Sequence, residues 1–467
     1  MIFKSSYKKK SIAVFDPIKK NTMSYADLLE EKNKKIYRGK KSLILILAEN
    51  SVGFIATYFS YIQNEHTIMI LGSQANTEYI NDTIKRFNPH IIALENNFKI
   101  NKIKFKINKI HSINNYNIFK TNFKKKYKIN KNILLLLGTS GSTGNKKWVK
   151  LSKKNLISNL YSITKELNIT QNDITITTLP PEYTYGLSII NSHLFSGAKI
   201  ILNNLSVIQK NFWTSLKKNK ITNFGGVPYV YEILDRINFK QYLTGTKLKH
   251  ITQAGGKLNK DLHKKINSIC EEKNINFYVM YGSTETSPRM TVLKDVGKNK
   301  KFDSIGKAIL NTKIWIEKDQ KKVTQPFIKG EIVFQGQNIF GGYASNQNDL
   351  KNFKNIKSFL TGDLGYYDKQ GFFYVVGRKS RFLKIKGLRI NLEETESKLK
   401  NKLSFECRVT GKDENLNVYI IKNVKNITEI KRSISKILSI HPSDINVKII
   451  KNFPKTVSGK IKYSELK

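Results

Sequence analysis

The stretch Thr139-Ser-Gly-Ser-Thr-Gly-Asn-Lys-Lys147 follows an apolar run, residues 133–137, and is expected to lead into a helix. Gly141 and Gly144 free the backbone to turn its N–H groups toward one point. Ser140, Ser142 and Thr143 add hydroxyl donors, and Lys146 or Lys147 adds positive charge. Converging donors beside a cation are the chemistry of a polyphosphate cradle. The segment is not a Walker loop, because no Gly-Lys-Ser/Thr ending is present. Taken alone, it also fits a polar Ser/Gly turn.

Working outward, short apolar runs at 42–48, 67–71, 90–94 and 133–137 have the length of buried strands. Residues 51–63 and 155–167 carry helical spacing, the second placing Leu156, Leu160, Ile163 and Leu167 on one face. Strands alternating with helices predict an α/β fold with parallel sheet. The Lys/Asn-rich stretch 96–131 reads as a variable surface loop.

A charged break, Gly377-Arg-Lys-Ser-Arg381, follows a strand at 372–376 and suggests a boundary. Beyond it, Asn391 reads as an N-cap with Glu394 completing a capping box. Leu392, Leu399 and Leu403 continue a helix. Residues 418–421, 427–438 and 447–450 then give strand, helix and strand, and 453–467 a Lys-rich loop. The expected domains are 1–377 and a small α+β unit, 378–467.

The chain has 467 residues, 39% of them hydrophobic and 11% aromatic, which provides for a large core and excludes general disorder. Its two cysteines, Cys270 and Cys407, have no metal-ligand spacing and fit a reducing compartment. The net charge of +47 suggests nucleic acid or an anionic surface at first sight. Only nine of the 82 basic residues are Arg, however, and Lys, Asn and Ile are abundant throughout. Those three share AT-rich codons, and phosphate or base recognition draws on Arg. Most of the charge therefore reads as mutational bias. With no apolar export segment and no membrane-length run, a cytoplasmic location is expected.

Further motifs stand in order along the chain: Ala254-Gly-Gly256, Tyr281-Gly-Ser-Thr-Glu285, Thr361-Gly-Asp363, Gly377-Arg378, Lys386-Gly-Leu-Arg-Ile390 and Pro454-Lys-Thr-Val-Ser-Gly-Lys460. Met23-Ser-Tyr-Ala-Asp-Leu-Leu29 and Leu47-Ala-Glu-Asn-Ser51 precede them. With the 139–147 loop, this set closely resembles the adenylate-forming superfamily, and in particular its AMP-binding acyl-CoA synthetases. The resemblance runs from about residue 15 to the C-terminus. It implies a large N-terminal domain of parallel and mixed sheets with packed helices and a β-rich subdomain. A small mobile α+β C-terminal domain would come after it.

The implied reaction has two halves. A carboxylate attacks the α-phosphate of Mg-ATP, giving an acyl-adenylate and pyrophosphate, and a pantetheine thiol then displaces AMP. Under the resemblance Thr139, Ser140, Gly141, Ser142, Thr143, Gly144 and Lys147 would hold the β- and γ-phosphates. Thr284 would contact the α-phosphate and Glu285 would hold Mg²⁺. Gly255 and Gly256 would form the adenine-side turn, and Tyr281, followed by Gly282, would stack on adenine. Asp363 would accept from the ribose hydroxyls, with Arg378 assisting. Lys460 would bridge the substrate carboxylate and the α-phosphate. Ser380 would be the hinge, and Lys386 and Gly387 would line the thiol tunnel. The loop departs from the family pattern at Lys146, where Pro is usual, and at Trp148, where Gly is usual.

Tyr183, Tyr185 and Gly186, within Pro180-Pro-Glu-Tyr-Thr-Tyr-Gly186, would line the acyl pocket with Tyr229, although the tyrosines equally fit a core role. The segment has no Asp to pair an amino acid's ammonium, which leaves Glu182 as the substitute. The expected acceptor is coenzyme A, or the pantetheine of a separate acidic acyl carrier protein, since no carrier domain follows Lys467. The expected substrate is a small carboxylic acid, with no nucleic-acid partner, no transmembrane segment, and a monomer or homodimer. A competing class is a catalytically retired scaffold that binds RNA or anionic surfaces through the basic charge.

Overall fold

The computed structural model describes residues 2–3, 11–123, 127–139, 147–294, 301–386, 388–412, 414–421, 426–455 and 461–466. They pack as two compact units. The larger takes Met1–Gly141, Asn145–Ile314 and Phe334–Phe359; the smaller takes Trp315–Val333 and Leu360–Lys467.

The larger unit contains an eight-stranded and a nine-stranded sheet. Leu43–Ala48 lies inside the first, parallel to Thr67–Gly72 and Ile91–Glu95. Its six residues are all buried, the pattern of a parallel strand covered on both faces. The helix Val52–Gln63 is likewise buried at every position and starts where the Ser51 hydroxyl accepts from the Phe54 N–H at 3.2 Å. Lys153–Glu166 turns Leu156, Leu160 and Ile163 inward as its spacing predicts.

In the second sheet Asn223–Gly226, His250–Gln253 and Asn276–Tyr281 run parallel. The chain then reverses, and Thr291–Leu293 returns antiparallel to Asn276–Tyr281. Gly225, Gly226, Ala254 and Tyr281 thus stand at or just past the carboxyl ends of neighbouring strands. Open α/β sheets bind ligands at that edge.

Two expectations fail here. The 139–147 loop does not open a helix. It joins the antiparallel strands Leu135–Gly138 and Trp148–Leu151, with Gly138 opposite Trp148. The stretch 96–131 is not one long loop either. Ile107–Ile113 and Tyr116–Thr121 form a hairpin at the sheet edge, and Tyr116–Thr121 pairs with Ile91–Glu95. The outer strand Ile107–Ile113 is only slightly buried until Ile113. Composition thus disguised the strand.

The smaller unit holds a five-stranded sheet, in which Phe359–Tyr367 and Phe373–Arg378 are antiparallel. A hairpin, Phe382–Ile385 with Leu388–Asn391, comes next. Helices Leu392–Leu403 and Ile427–Leu438 accompany the three strands Cys407–Lys412, Asn415–Ile420 and Ile445–Ile449 around a core that includes Leu399, Val418 and Ile434. Asn391 caps the first helix through the N–H groups of Glu393 and Glu394. The Glu394 side chain pairs with Lys398 at 3.2 Å, outward along the helix, where the capping box had placed it on the Asn391 backbone. Residues 453–455 and 461–466, expected as loop, are packed and paired. Phe453 and Leu466 are buried, Lys455 bridges to Ile461, and the Tyr419 hydroxyl donates to the Leu466 carbonyl at 3.1 Å.

Candidate active site

In the larger unit, Tyr281-Gly-Ser-Thr-Glu285 leaves the end of a parallel strand and enters a single 3-10 turn, Thr284–Thr286. Gly282 is required by packing, because a Cβ there would run into the Pro288 carbonyl. Two amide side chains pin the backbone of this turn and its exit. Asn159 Nδ2 donates to the Arg289 carbonyl at 2.9 Å, and Asn338 Nδ2 to the Thr286 carbonyl at 2.7 Å. Glu285 is anchored at both ends. The Phe340 N–H donates to its carbonyl at 2.8 Å, and the Tyr343 hydroxyl to its Oε1 at 2.8 Å.

Tyr343 also receives Lys147, whose Nζ lies 5.5 Å from the ring centroid. One tyrosine therefore joins the exit of the Ser/Gly loop to the motif's carboxylate. Thr139, at the loop entry, donates its N–H to the Lys147 carbonyl at 3.0 Å and so closes the loop base. Ser140, Gly141, Ser142, Thr143 and Gly144 lie outside the described residues. Trp148 is buried and meets Phe87 edge-on at 6.1 Å, so the indole replacing the family's usual Gly is a core side chain.

Thr284 Oγ1 shares a hydrogen bond with Thr184 Oγ1 at 2.9 Å, tying the motif to the helix Thr184–Ser196. Tyr185 is buried in that helix, with its hydroxyl on Thr252. Burial and contact with Tyr185 keep the Tyr183 phenol well above its usual range. Gly255 is left-handed at φ +87, and a Cβ there would strike the Tyr183 hydroxyl. Gly256 packs on Pro228, and its carbonyl accepts from Gln253 Nε2 at 2.9 Å. Gly186 lies against the carbonyls of Leu179 and Pro180. Tyr229 is 40% exposed, so it has a surface position and no core role. Glu182 sits over Gly72.

The smaller unit brings Asp363 and Arg378 together as directly opposed strand residues. Arg378 Nε lies 3.2 Å from Asp363 Oδ1, and the guanidinium is largely exposed. With the guanidinium so exposed, the pair contributes little to stability. Ser380 stands in the 3-10 turn Lys379–Arg381. Lys386 is at the hairpin turn, its N–H on Glu414 and its Nζ 2.8 Å from Asp444. Gly387 and Lys460 lie outside the described residues.

The family profile described as AMP-binding enzyme matches residues 7–344. The chain belongs to the AMP-binding enzyme family. This AMP-binding enzyme is 30% identical over 254 residues to a 2-succinylbenzoate–CoA ligase of Bacillus cereus, a match covering 54% of this chain and 50% of that protein. It is 28% identical over 341 residues to an oxalate–CoA ligase of Arabidopsis thaliana, covering 70% of this chain and 65% of that one. The chain thus spans about half the length of the first of these relatives and under two thirds of the second. Its fold matches o-succinylbenzoate CoA synthetase from Bacillus subtilis, solved with the acyl-adenylate OSB-AMP, at a TM-score of 0.78. The identity there is 21%, with 98% of this chain and 96% of that chain covered. ATP-bound MatB from Rhodopseudomonas palustris matches at 0.77, with 18% identity and 99% and 96% coverage. Among the described residues no helix of this AMP-binding enzyme is long and apolar enough to cross a membrane.

Sequence reasoning missed Tyr343, Thr184 and Arg289. Tyr343 had no motif around it and reaches the site by pairing Tyr343–Ala344 with Trp148–Leu151. Arg289 left a signal, as one of only nine Arg, four residues beyond Glu285.

Proposed function

We propose that this protein is an ATP-dependent acid–thiol ligase. It activates a small carboxylic acid as its acyl-adenylate, releases pyrophosphate, and passes the acyl group to a pantetheine thiol, coenzyme A first. The observation that carries this reading is the Lys147–Tyr343–Glu285 chain, which puts a cation from the loop and a carboxylate from the Tyr-Gly-Ser-Thr-Glu motif on one phenol.

Free carboxylates acylate poorly because oxide is a bad leaving group, and a mixed anhydride with AMP removes that barrier. The protein's work is then positioning and charge neutralisation at phosphorus. Lys147 and the loop bind the outer phosphates, and Thr284, held by Thr184, is the hydroxyl for the α-phosphate. Among the described residues no group of three or more His, Cys, Asp or Glu could cage a metal. Magnesium is commonly held by one or two carboxylates plus phosphate oxygens, and Glu285 fits that role. The ion supplies charge neutralisation across the phosphates. Asp363 and Arg378 take the ribose. Lys460 meets the charge that accumulates as the carboxylate attacks. Residues 378–467 act as a lid turning about Ser380, after which Lys386 and Gly387 face the thiol arm.

The related ligases act on 2-succinylbenzoate and oxalate, which are both dicarboxylic acids. A hydroxamate-trapping screen with MgATP over short, aromatic, hydroxy and dicarboxylic acids tests the reading. ATP-dependent hydroxamate from at least one acid is expected. Folded, ATP-binding protein that yields none with any acid would refute it.

A further inference from the structure

The smaller unit buries a charged cluster centred on Glu396, in the helix Leu392–Leu403. Arg381, at the end of the turn Lys379–Arg381, places its Nη2 2.6 Å from Glu396 Oε1. The Val409 N–H, in the strand Cys407–Lys412, donates to the same oxygen at 2.9 Å. From the tail, the Tyr463 hydroxyl donates to Oε2 at 3.0 Å. The Arg381 guanidinium also lies 3.7 Å from the centroid of the Tyr463 ring. The side chains of Arg381 and Glu396 are each only 13% exposed. Burial and the Glu396 carboxylate hold the Tyr463 phenol above its usual range, so it stays a donor.

The tail that carries Tyr463 has little backbone pairing to hold it. Residues 456–460 lie outside the described residues, and their two flanks meet in a single bridge, Lys455 with Ile461. Beside it the Lys462 N–H donates to the Pro454 carbonyl at 2.9 Å. So short a stem is marginal without side-chain anchors. Phe453 and Leu466 supply two, in a small apolar cluster with Tyr419. Apolar contacts are not directional. Tyr463 supplies the directed anchor, because its hydroxyl meets a carboxylate whose other oxygen is held by Arg381. A buried Arg–carboxylate pair adds little net stability, since desolvation offsets much of the attraction. What its paired, charge-assisted hydrogen bonds fix is geometry.

We propose that Glu396 is a positioning residue for adenylation: braced by Arg381, it holds Tyr463 and so fixes the tail that bears Lys460. The latch rests on contacts among described residues, and its bearing on catalysis rests on the ligase reading, in which Lys460 meets the charge of the attacking carboxylate. A lysine on its long flexible stem delivers that charge only if its backbone stays in place, and a misplacement of about 1 Å costs on the order of 10²-fold. The charge accumulates only in the transition state, so a loosened tail lowers kcat and leaves KM nearly unchanged. Arg381 directly follows Ser380, so a turn at that hinge would carry the tail with it.

The test uses the full chain and Tyr463→Phe, which removes the hydroxyl and keeps the ring against Arg381. Loss of a hydrogen bond to a charged group predicts about tenfold lower kcat in ATP–pyrophosphate exchange, with KM for ATP and acid within about twofold. Glu396→Gln, of equal size but without the charge that Arg381 braces, should lose kcat by at least as much. In a Lys460→Ala background Tyr463→Phe should cost nothing further, because its effect passes through that lysine. An equal loss in both backgrounds marks a merely structural effect and overturns the assignment, as does a wild-type kcat in Tyr463→Phe. Amide hydrogen exchange over residues 454–463, followed without substrate, reads the latch by itself. It should run about tenfold faster in Tyr463→Phe while the helix Leu392–Leu403 exchanges as in wild type. That acceleration, with no pyrophosphate exchange by wild type for any acid, supports the latch while the ligase reading fails. Unaltered hydrogen exchange overturns the latch whatever the activity.

Discussion

The Tyr343 hydroxyl donates to Glu285 Oε1 at 2.8 Å while its ring lies under the Lys147 ammonium. The phenol is held well above its normal range by burial and by the Glu285 carboxylate beside it, so it remains a donor through the working pH range. It orients one carboxylate oxygen, and the other would be left for the magnesium ion under the proposed function.

Tyr343→Phe removes that donor and keeps the ring under Lys147. A hydrogen bond to a charged group contributes about 1.5 kcal/mol, or roughly tenfold. The apparent Mg²⁺ requirement in pyrophosphate exchange should rise by about that factor with little change in Tm. An unchanged magnesium titration would dissociate Tyr343 from Glu285's role.

Lys460→Ala should lower adenylation by on the order of 10²–10³. Thioester formation from supplied acyl-adenylate should fall far less, because that half needs no charge neutralisation at an attacking carboxylate. Single-turnover assays of the two halves distinguish these, and equal losses in both would count against the assignment.

Gly282→Ala places a methyl group against the Pro288 carbonyl, with backbone on both sides of the contact. Overpacking of this kind costs about 1–3 kcal/mol. A Tm lowered by several degrees, with loss of exchange activity, is expected. A variant as stable as wild type would contradict the packing described.

Two buried histidines make the fold acid-sensitive. Burial pushes His193 down to about 4 and His250 down to about 3. Lys249 and Arg289 add to the fall at His250, while Asp173 opposes it. Both stay neutral when folded and charge only on unfolding, so the unfolded chain binds more protons below its histidine pKa. Their contribution is complete above about pH 6.5 and is lost as pH falls from there toward 4, by on the order of 3 kcal/mol each. Tm should therefore drop steeply between about pH 6.5 and 4, and less steeply in His193→Gln. Parallel curves for the two proteins would remove His193 from the explanation.

Much of this was legible in the sequence where one physical signal dominated. Leu43–Ala48 announces itself as an unbroken apolar run with few alternatives to burial, and the helix Val52–Gln63 through its helical spacing. Glu285 and Asp363 were singled out because their motifs carry them. The edge strand Ile107–Ile113 was not, since its residues are mostly exposed and its isoleucines do not alternate with period two, in a stretch whose Lys and Asn read as loop. The short strand Trp148–Leu151 after the 139–147 loop was missed because it spans only four residues, and the expected helix follows directly after Ser152. Tyr343, Thr184 and Arg289 act through contacts between segments distant in sequence, and a single residue carries no mark of a partner far along the chain.

The central claim is that this chain joins a carboxylate to AMP. Mass-spectrometric detection of acyl-AMP, with acid-dependent ATP–pyrophosphate exchange by purified full-length protein, tests it most directly. The predicted result is exchange that requires both Mg²⁺ and acid and falls by at least about a hundredfold in Lys460→Ala. Acid-independent ATP turnover, or ATP binding with neither exchange nor acyl-AMP for any acid, would contradict it.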